Sequence, residues 1–138
     1  MAAIKKPKKK AKRKRKSRYH RGIHLSTKTG LEMSYRSGWE AKYMTWLDAN
    51  PDVKGYTYEC VIIEYVSNVK TGRHRKYYPD FLVEYTDGRK QLVEVKPKRK
   101  LGNRVVQKKL LAALDWCRAH GASLEVVTEI ELKSLGLL

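Results

Sequence analysis

The sequence predicts an α/β domain in which a mixed sheet is flanked by helices, with its elements in the order αβββαβ. Helical apolar repeats occupy residues 37–49 and 103–120, and three β-rich runs lie between them. A short apolar run at 123–127 follows the second helix. Because a helix crosses over before this last strand, we expect the strand to lie parallel to an earlier one, whereas the first three can form an antiparallel meander.

Charge divides the chain into a basic arm and a domain. The 138 residues carry 31 Lys or Arg against 14 Asp or Glu, a formal charge of +17, and residues 1–21 hold 12 of the basic residues and no acidic one. We predict that residues 1–30 form an arm that is disordered when free, because it has little apolar surface to bury, and that residues 31–138 form one domain. Such an arm indicates a polyanionic partner, most simply nucleic acid. The arm residues expected to contact phosphates are Lys8, Lys9, Lys10, Lys12, Arg13, Lys14, Arg15 and Lys16.

Composition also argues against several classes of protein. No apolar run follows the basic N-terminus, so we expect no signal peptide, and no stretch approaches the length of a membrane span. The four histidines are scattered, which argues against a zinc site. Cys60 and Cys117 lie in apolar patterns without metal or disulfide spacing, so we predict buried, reduced thiols in a cytosolic protein. The arm also resembles a nuclear-import tract or a solubilising tail, and both alternatives stay open.

The first helix is predicted to begin after Ser37, which fits the N-cap position. Glu40 then falls at N3, where its side chain would complete a Ser-x-x-Glu capping box. Asn50-Pro51 ends the helix. Glu40 lies beside the apolar stripe, so it can cap the helix, reach a functional site, or do both. The stripe consists of Trp39, Tyr43, Trp46 and Leu47.

The next elements are a strand over residues 56–66, a loop at 68–72 and a hairpin over 78–96. A two-residue loop at Asp87-Gly88 would place Asp80 opposite Val95, on the face away from Glu94. A three-residue loop that also includes Thr86, with Gly88 left-handed, matches opposite charges and apolar residues across the strands, and we predict this register. Its pairs are Tyr85–Arg89, Glu84–Lys90, Leu82–Leu92 and Asp80–Glu94.

This hairpin gathers side chains that suit metal-dependent chemistry. Glu94 and Lys96 are two residues apart in a strand and so share a face, and in the predicted register Asp80 joins them. Two carboxylates and an ammonium group then converge, where they can hold Mg²⁺ and direct a water molecule at a phosphate. The alternative is a surface hairpin whose charges are only solvated. The basic run Pro97-Lys98-Arg99-Lys100 follows, and it suits either a clamp for a backbone phosphate or a solvated loop.

The second helix is predicted to begin after Asn103 and to end at Gly121. Lys108 and Lys109 lie in its first two turns. Positive charge is unfavourable near the N-terminus of a helix, which is the positive end of the helix dipole, so we expect an anion nearby. Its core stripe is Val106, Leu110, Ala113, Leu114 and Cys117.

The chain ends with two short elements. Residues 123–127 are predicted to form a strand. Thr128 and Glu131 have the spacing of a capping box, so a final helix should start there and end near Gly136.

The hairpin motif and the predicted topology agree, although they rest on different residues. Pro79-Asp80 followed by Glu94-Val95-Lys96 resembles the PD-(D/E)xK nuclease signature. The αβββαβ order is the core of the restriction-endonuclease-like fold, whose second and third strands carry the active site. A series of motifs over about residues 34–132 is similar to the head-completion nucleases of T-even-like tailed phages and to the N-terminal endonuclease domain of TnsA. These motifs are Tyr35-Arg36-Ser37-x-x-Glu40, Asn50-Pro51, Tyr77-Tyr78-Pro79-Asp80-Phe81, Glu94-Val95-Lys96-Pro97-Lys98 and Val127-Thr128-Glu129.

The resemblance implies a Mg²⁺-dependent DNA endonuclease with Glu40, Asp80, Glu94 and Lys96 as its catalytic residues, and Mn²⁺ is expected to substitute. Asp80 and Glu94 would bind the metal, with Glu40 bound to it directly or one layer further out. TnsA can have glutamine at the position of Glu94, so the number of metal ions stays open. Outside the arm, the expected DNA-binding residues are Arg36, Lys98, Arg99, Lys100, Lys108 and Lys109.

The resemblance also implies a biological setting. Head-completion relatives imply a protein that finishes packaged phage heads, with double-stranded DNA and phage portal or neck proteins as partners, in the host cytoplasm, the virion or both. Two other functions stay open. The protein can be a DNA-end or neck protein that keeps the nuclease fold without cutting, or a ribosomal-type RNA-binding protein. Metal-dependent cleavage tests the first alternative, and a preference for duplex DNA over structured RNA tests the second.

Overall fold

The computed structural model describes residues 21–138, so the predicted arm contacts from Lys8 to Lys16 lie outside the described residues. The described chain forms eight strands and three α-helices. The strands are β1 (Gly22–Leu25), β2 (Glu32–Tyr35), β3 (Val53–Tyr58), β4 (Ile63–Asn68), β5 (Arg73–Tyr77), β6 (Phe81–Tyr85), β7 (Lys90–Val95) and β8 (Ala122–Val127). The helices are α1 (Gly38–Ala49), α2 (Arg104–His120) and α3 (Glu129–Ser134). None of the helices in residues 21–138 has the length and apolar character needed to cross a membrane.

The central sheet has the strand order β3-β6-β7-β8. Strand β6 runs antiparallel to both β3 and β7, and β8 runs parallel to β7. Helix α2 supplies the long crossover that parallel neighbours require. The predicted α/β class, with a mixed sheet flanked by helices and an αβββαβ core, is therefore confirmed. The arrangement is that of a restriction-endonuclease-like fold.

Side chains alternate across the central sheet and bury both of its faces. Phe81 and Val83 of β6 belong to a core cluster that includes residues of α1, whereas Leu92 of β7 packs in a second cluster with Ala113 and Cys117 of α2. Phe81, Val83 and Leu92 have no exposed surface. Because both faces of the central strands are covered, the charged side chains of β6 and β7 lie near the ends of these strands. The candidate site lies at one of these ends.

The predicted three-residue turn between β6 and β7 is confirmed. The Tyr85 N–H donates to the Arg89 carbonyl at 2.8 Å, and Gly88 has a φ of 89°, which favours glycine. This register carries Asp80, just before β6, to the end of β7. The paired residues are Phe81–Val93, Leu82–Leu92, Val83–Gln91 and Glu84–Lys90.

The prediction of a single strand over residues 56–66 is wrong. The run contains the end of β3 and the start of β4, which belong to separate sheets. Glu59 between them has a φ of 52°, a left-handed backbone that interrupts the extended strand, and its N–H donates to the Asp80 carbonyl at 2.9 Å. Strand β4 pairs with β5, and the predicted loop at 68–72 is their turn. Cys60, at the break, is exposed rather than buried, whereas Cys117 is buried as predicted.

Ordered structure begins before the predicted end of the arm. Strand β1 pairs with β2, so the prediction of a disordered arm to residue 30 is wrong for residues 22–25. Asp48 of α1 holds this segment, because its carboxylate lies 2.7 Å from His24 Nε2 and accepts a hydrogen bond from Ser26 Oγ at 2.5 Å. Lys28 donates to two backbone carbonyls just beyond α1. Polar contacts with α1 and the turn after it, rather than apolar burial, therefore order these residues.

Candidate active site

One end of the central sheet opens into a cavity of about 610 Å³. Asp80 precedes β6, Glu94 lies near the end of β7 and Lys96 follows it, so the pairing of these strands brings all three to this end. Glu40 comes from the first turn of α1. All four side chains line the cavity. The structure therefore brings together the residues that the sequence predicts to be catalytic.

Asp80 is held by the backbone and faces other carboxyl groups. Its Oδ2 accepts a hydrogen bond from the Val95 N–H at 2.8 Å. Burial raises the pKa of the Asp80 carboxyl well above its ordinary value, and the charges of Glu94 and Glu40 raise it further, against the lowering effect of the Val95 N–H. The side chain of Glu40 also raises the pKa of Asp80 through hydrogen bonding. The ionised Asp80 side chain is therefore destabilised unless a cation lies nearby.

Glu94 is buried between a hydroxyl and an ammonium group. The Tyr77 hydroxyl donates to its Oε2 at 2.6 Å, and Lys96 Nζ lies 3.5 Å from its Oε1. Burial raises the pKa of Glu94, while the Tyr77 hydrogen bond and the Lys96 charge act in the opposite direction. The two partners fix the orientation of the carboxylate and leave it beside Asp80.

Glu40 is buried at the N-terminus of α1, and two donors orient its carboxylate. The Tyr58 hydroxyl donates to Oε1 at 2.8 Å, and the Arg36 N–H donates to Oε2 at 3.1 Å. The Ser37 side chain caps the helix as predicted, because it accepts a hydrogen bond from the Glu40 N–H at 3.2 Å. The other half of the predicted capping box is wrong, since the carboxylate bonds to the N–H of Arg36 and not to that of Ser37. This difference directs Glu40 towards Asp80.

Comparison with known proteins assigns the chain to a family. Residues 50–129 match the family model described as TnsA-like endonuclease N terminal. The chain belongs to this family. It is also 34% identical to the head completion nuclease of Enterobacteria phage T4 over 68 residues, which are 49% of this chain and 45% of that relative. The match thus covers less than half of the length of the curated relative, and both predicted resemblances are confirmed.

The span matched to the TnsA-like family contains Asp80, Glu94 and Lys96, but it begins at residue 50 and so does not include Glu40. The placement of Glu40 at the site therefore rests on the geometry of α1 and on the proximity of its carboxylate to Asp80. Its burial, with 5% of its surface exposed, is unusual for a side chain that only caps a helix.

The site of this TnsA-like chain has the donor chemistry for a hard divalent cation. Glu40, Asp80 and Glu94 offer carboxylate oxygens, which are the ligands that Mg²⁺ prefers in proteins. Within residues 21–138, no group of three or more His, Cys, Asp or Glu side chains is arranged so that it could hold a metal ion. Binding of a cation by Glu40, Asp80 and Glu94 would therefore require these side chains to rearrange.

Four of the basic residues predicted to bind DNA lie at the cavity or beside it. Arg36, Arg99 and Lys100 line it, and Lys98 belongs to the same 3₁₀ turn (Lys98–Lys100). The Lys98 N–H donates to Glu129 Oε1 at 3.0 Å, which fixes this turn against α3. The turn therefore presents positive charge at the rim of the cavity that contains Glu40, Asp80 and Glu94.

Lys108 and Lys109, the other two residues outside the arm that are predicted to bind DNA, do not line the cavity. Lys108 Nζ donates to the Ser67 carbonyl of β4 at 2.9 Å. Lys109 Nζ lies 5.6 Å from the centre of the Tyr77 ring on β5. Helix α2 therefore directs both charges towards the hairpin formed by β4 and β5.

Three further residues that were not predicted from the sequence take part in this site. Tyr77 and Tyr58 donate to the carboxylates of Glu94 and Glu40. Tyr77 begins the Tyr77-Tyr78-Pro79-Asp80-Phe81 motif, which marked its position but gave no role. Nothing in the sequence singled out Tyr58, because its position depends on the pairing of β3 with β6. Lys42 of α1 also lines the cavity.

Proposed function

We propose that this protein is a Mg²⁺-dependent endodeoxyribonuclease that hydrolyses phosphodiester bonds in duplex DNA. The observation that carries the proposal is the convergence of Glu40, Asp80, Glu94 and Lys96 on one cavity. Membership of the TnsA-like endonuclease family supports it independently. Solvated surface charges would not explain why Glu40 and Glu94 are only 5% and 6% exposed.

Asp80 and Glu94 would hold the metal ion, and Glu40 would bind it directly or one layer further out. When bound, Mg²⁺ supplies positive charge that polarises the phosphate and favours ionisation of a water molecule. Mn²⁺ is expected to substitute, since carboxylate and water ligands suit both ions. The hydroxyls of Tyr77 and Tyr58 would keep the Glu94 and Glu40 carboxylates in orientation.

Lys96 supplies the positive group nearest to Glu94. Its side chain is 18% exposed, so it is largely withdrawn from solvent yet open to the cavity. In this position Lys96 would orient the attacking water and stabilise the negative charge that builds up on the phosphate oxygens. In-line attack forms a bond between the water oxygen and phosphorus and breaks the bond to the leaving oxygen of the DNA strand. The water loses a proton to solvent and the leaving oxygen takes one up, so the products are a phosphate monoester and a hydroxyl end.

The biological role that we propose is the completion of phage heads. It rests on similarity to the head completion nuclease of phage T4, over 45% of the length of that protein. The partners would be double-stranded DNA and phage portal or neck proteins. The protein would act in the host cytoplasm, in the virion or in both.

Incubation with supercoiled plasmid tests the proposed reaction. We expect nicked or linear products with Mg²⁺ or Mn²⁺ and none in EDTA, because the three carboxyl groups need a cation to act on a phosphate. Gel electrophoresis of the plasmid measures the products. Binding of duplex DNA without cleavage under all of these conditions would support the alternative, a DNA-binding protein that keeps the fold without cutting.

Glu40→Gln is expected to lose cleavage with little change in melting temperature. The cap survives because it uses the Glu40 backbone N–H and the Ser37 hydroxyl, and a Gln oxygen can still accept a hydrogen bond. The negative charge available to a metal ion is lost. Plasmid cleavage and thermal unfolding of the same preparation measure the two effects.

Ser37→Ala is the matched control for this variant. It removes the capping hydroxyl, so it should cost about 1 kcal/mol of stability while cleavage continues. If Glu40→Gln behaves like Ser37→Ala, with a small loss of stability and continued cleavage, Glu40 is only a structural residue.

A further inference from the structure

The hairpin formed by β4 and β5 is strongly basic, yet none of its Lys or Arg residues is among those predicted to bind DNA. Residues 63–77 contain four Lys or Arg and one acidic residue, Glu64. All four basic side chains are exposed. Within residues 21–138 none of them forms an ion pair. The four are Lys70, Arg73, Arg75 and Lys76.

One row of this hairpin starts at the candidate active site. Tyr77 ends β5, and its hydroxyl donates to Glu94 at 2.6 Å. Arg75 and Arg73 lie two and four residues earlier in the same strand, so their side chains leave the strand on the same face as Tyr77. Four residues of strand span about 13 Å, which is the axial rise of about four nucleotides of one DNA strand.

Helix α2 adds a cation to this row. Lys109 Nζ lies 5.6 Å from the centre of the Tyr77 ring. The pKa of Lys109 is lowered, first by burial and then by the positive charges of Lys96 and Arg75, against the effect of Glu94. Lys109 therefore lies within electrostatic range of both Lys96 and Arg75. Positive side chains therefore extend from Lys96 at the cavity, through Lys109 of α2, to Arg75 on the hairpin.

The hairpin is held in place by the rest of the domain. Ile63, Tyr65 and Tyr77 belong to the buried cluster that includes residues of β7 and α2. Lys108 Nζ of α2 donates to the Ser67 carbonyl in β4 at 2.9 Å. The backbone that carries these side chains is therefore already ordered. Binding of a ligand to them would cost little main-chain entropy.

We propose that Arg73, Arg75 and Lys109 bind the phosphate backbone of duplex DNA beside the bond that is cut; the identity of the substrate rests on the proposed function. Arg73 and Arg75 lie two residues apart along one strand, and the phosphates of one DNA strand are likewise regularly spaced. Arginine side chains match phosphates well, because the planar guanidinium group can donate two parallel hydrogen bonds. Arg73 and Arg75 form no ion pair within residues 21–138, and a phosphate would supply the negatively charged partner.

Salt-dependent binding of the full chain to duplex DNA in EDTA tests the proposal without cleavage. Each phosphate that is no longer bound should reduce the slope of log K against log[salt] by about 0.9, so Arg73→Gln/Arg75→Gln should reduce it by about 1.8. Lys54→Gln/Lys90→Gln is the matched control. It removes the same charge from two exposed residues at the opposite end of the central sheet and should leave the slope unchanged.

The outcomes separate this proposal from the proposed reaction. A reduced slope for the hairpin variant alone supports the phosphate contact, even if the protein cuts no DNA. An unchanged slope in a protein that cuts DNA overturns the hairpin assignment alone. Equal reductions in both double variants also overturn it, since they would reflect total charge. The assignment is also overturned if the hairpin variant binds polyglutamate more weakly than the parent while its DNA binding is unchanged. The hairpin would then bind an acidic protein.

Discussion

Asp80→Asn is expected to abolish Mg²⁺-dependent cleavage while the protein stays folded and still binds DNA. The substitution removes the charge of one of the two main proposed metal ligands. The Asn oxygen can still accept the Val95 N–H, so no buried donor is left without a partner. Single-turnover cleavage of duplex DNA measures the loss.

Asp115→Asn is the control for loss of one carboxylate. Asp115 is an exposed residue of α2 that pairs with Arg118 at 3.8 Å, so its substitution should leave cleavage at the parental rate. Cleavage by Asp80→Asn at that same rate would contradict the assignment of the active site.

The same variant should be at least as stable as the parent at neutral pH in EDTA. Burial and the charges of Glu94 and Glu40 raise the pKa of Asp80 in the folded protein above its ordinary value of 3.8, which applies to the unfolded chain. At pH values between the unfolded and the folded pKa, the folded state therefore binds more protons than the unfolded state. The stability of the parent therefore falls as pH rises through this window. Asp80→Asn has no group that titrates at this position, so its stability should not show this decrease. Added Mg²⁺ should raise the melting temperature of the parent more than that of the variant. Thermal unfolding at several pH values, with and without Mg²⁺, measures both effects.

Deletion of residues 1–20 is expected to weaken binding to duplex DNA severely. The deleted segment carries 11 Lys or Arg and no acidic residue. Strand β1 begins at Gly22, so the deletion removes none of the described elements. The slope of log K against log[salt] should decrease by about 4–8, at about 0.9 for each phosphate that the arm no longer binds. Cleavage at saturating DNA should survive, because all four proposed catalytic residues lie outside the deletion.

A full-length variant with these 11 residues replaced by Gln separates the effect of charge from that of length. It should show the same decrease in slope as the deletion. A slope that stays at the parental value in both proteins would mean that the arm serves another partner, such as an acidic protein surface. Loss of single-turnover cleavage at saturation would mean that the arm helps to form the active site.

The sequence was most informative where local chemistry decides the structure. The turn at Gly88 was predictable, because cross-strand charge and apolar pairs favour one register and a glycine permits the backbone that this register needs. The capping box of α3 was predictable for the same reason, since Thr128 and Glu131 bond to each other within one helical turn. From the turn, the positions of Asp80 and Glu94 at one sheet end followed directly.

Two of the errors concern contacts between distant parts of the chain. The apolar alternation through residues 56–66 does not show that Glu59 adopts a left-handed backbone, which follows from its contacts with the start of β6. The ordering of β1 depends on Asp48, a helical residue with no special pattern around it. Leu114 was predicted to face the core, but it lies one residue beyond Ala113, about 100° around the helix, and is exposed.

The origin of Glu40 in α1 has a consequence for the folding of the protein. Asp80 and Glu94 lie on one hairpin, whose strands can pair as soon as that short segment is formed. Glu40 lies 40 positions before Asp80 and joins them only when α1 has docked against β3. Under the proposed mechanism, a chain that is still folding, or one in which α1 has locally detached, keeps the hairpin but lacks the third carboxylate. Cleavage is then a property of the completed domain, and partial unfolding stops it before the sheet itself comes apart.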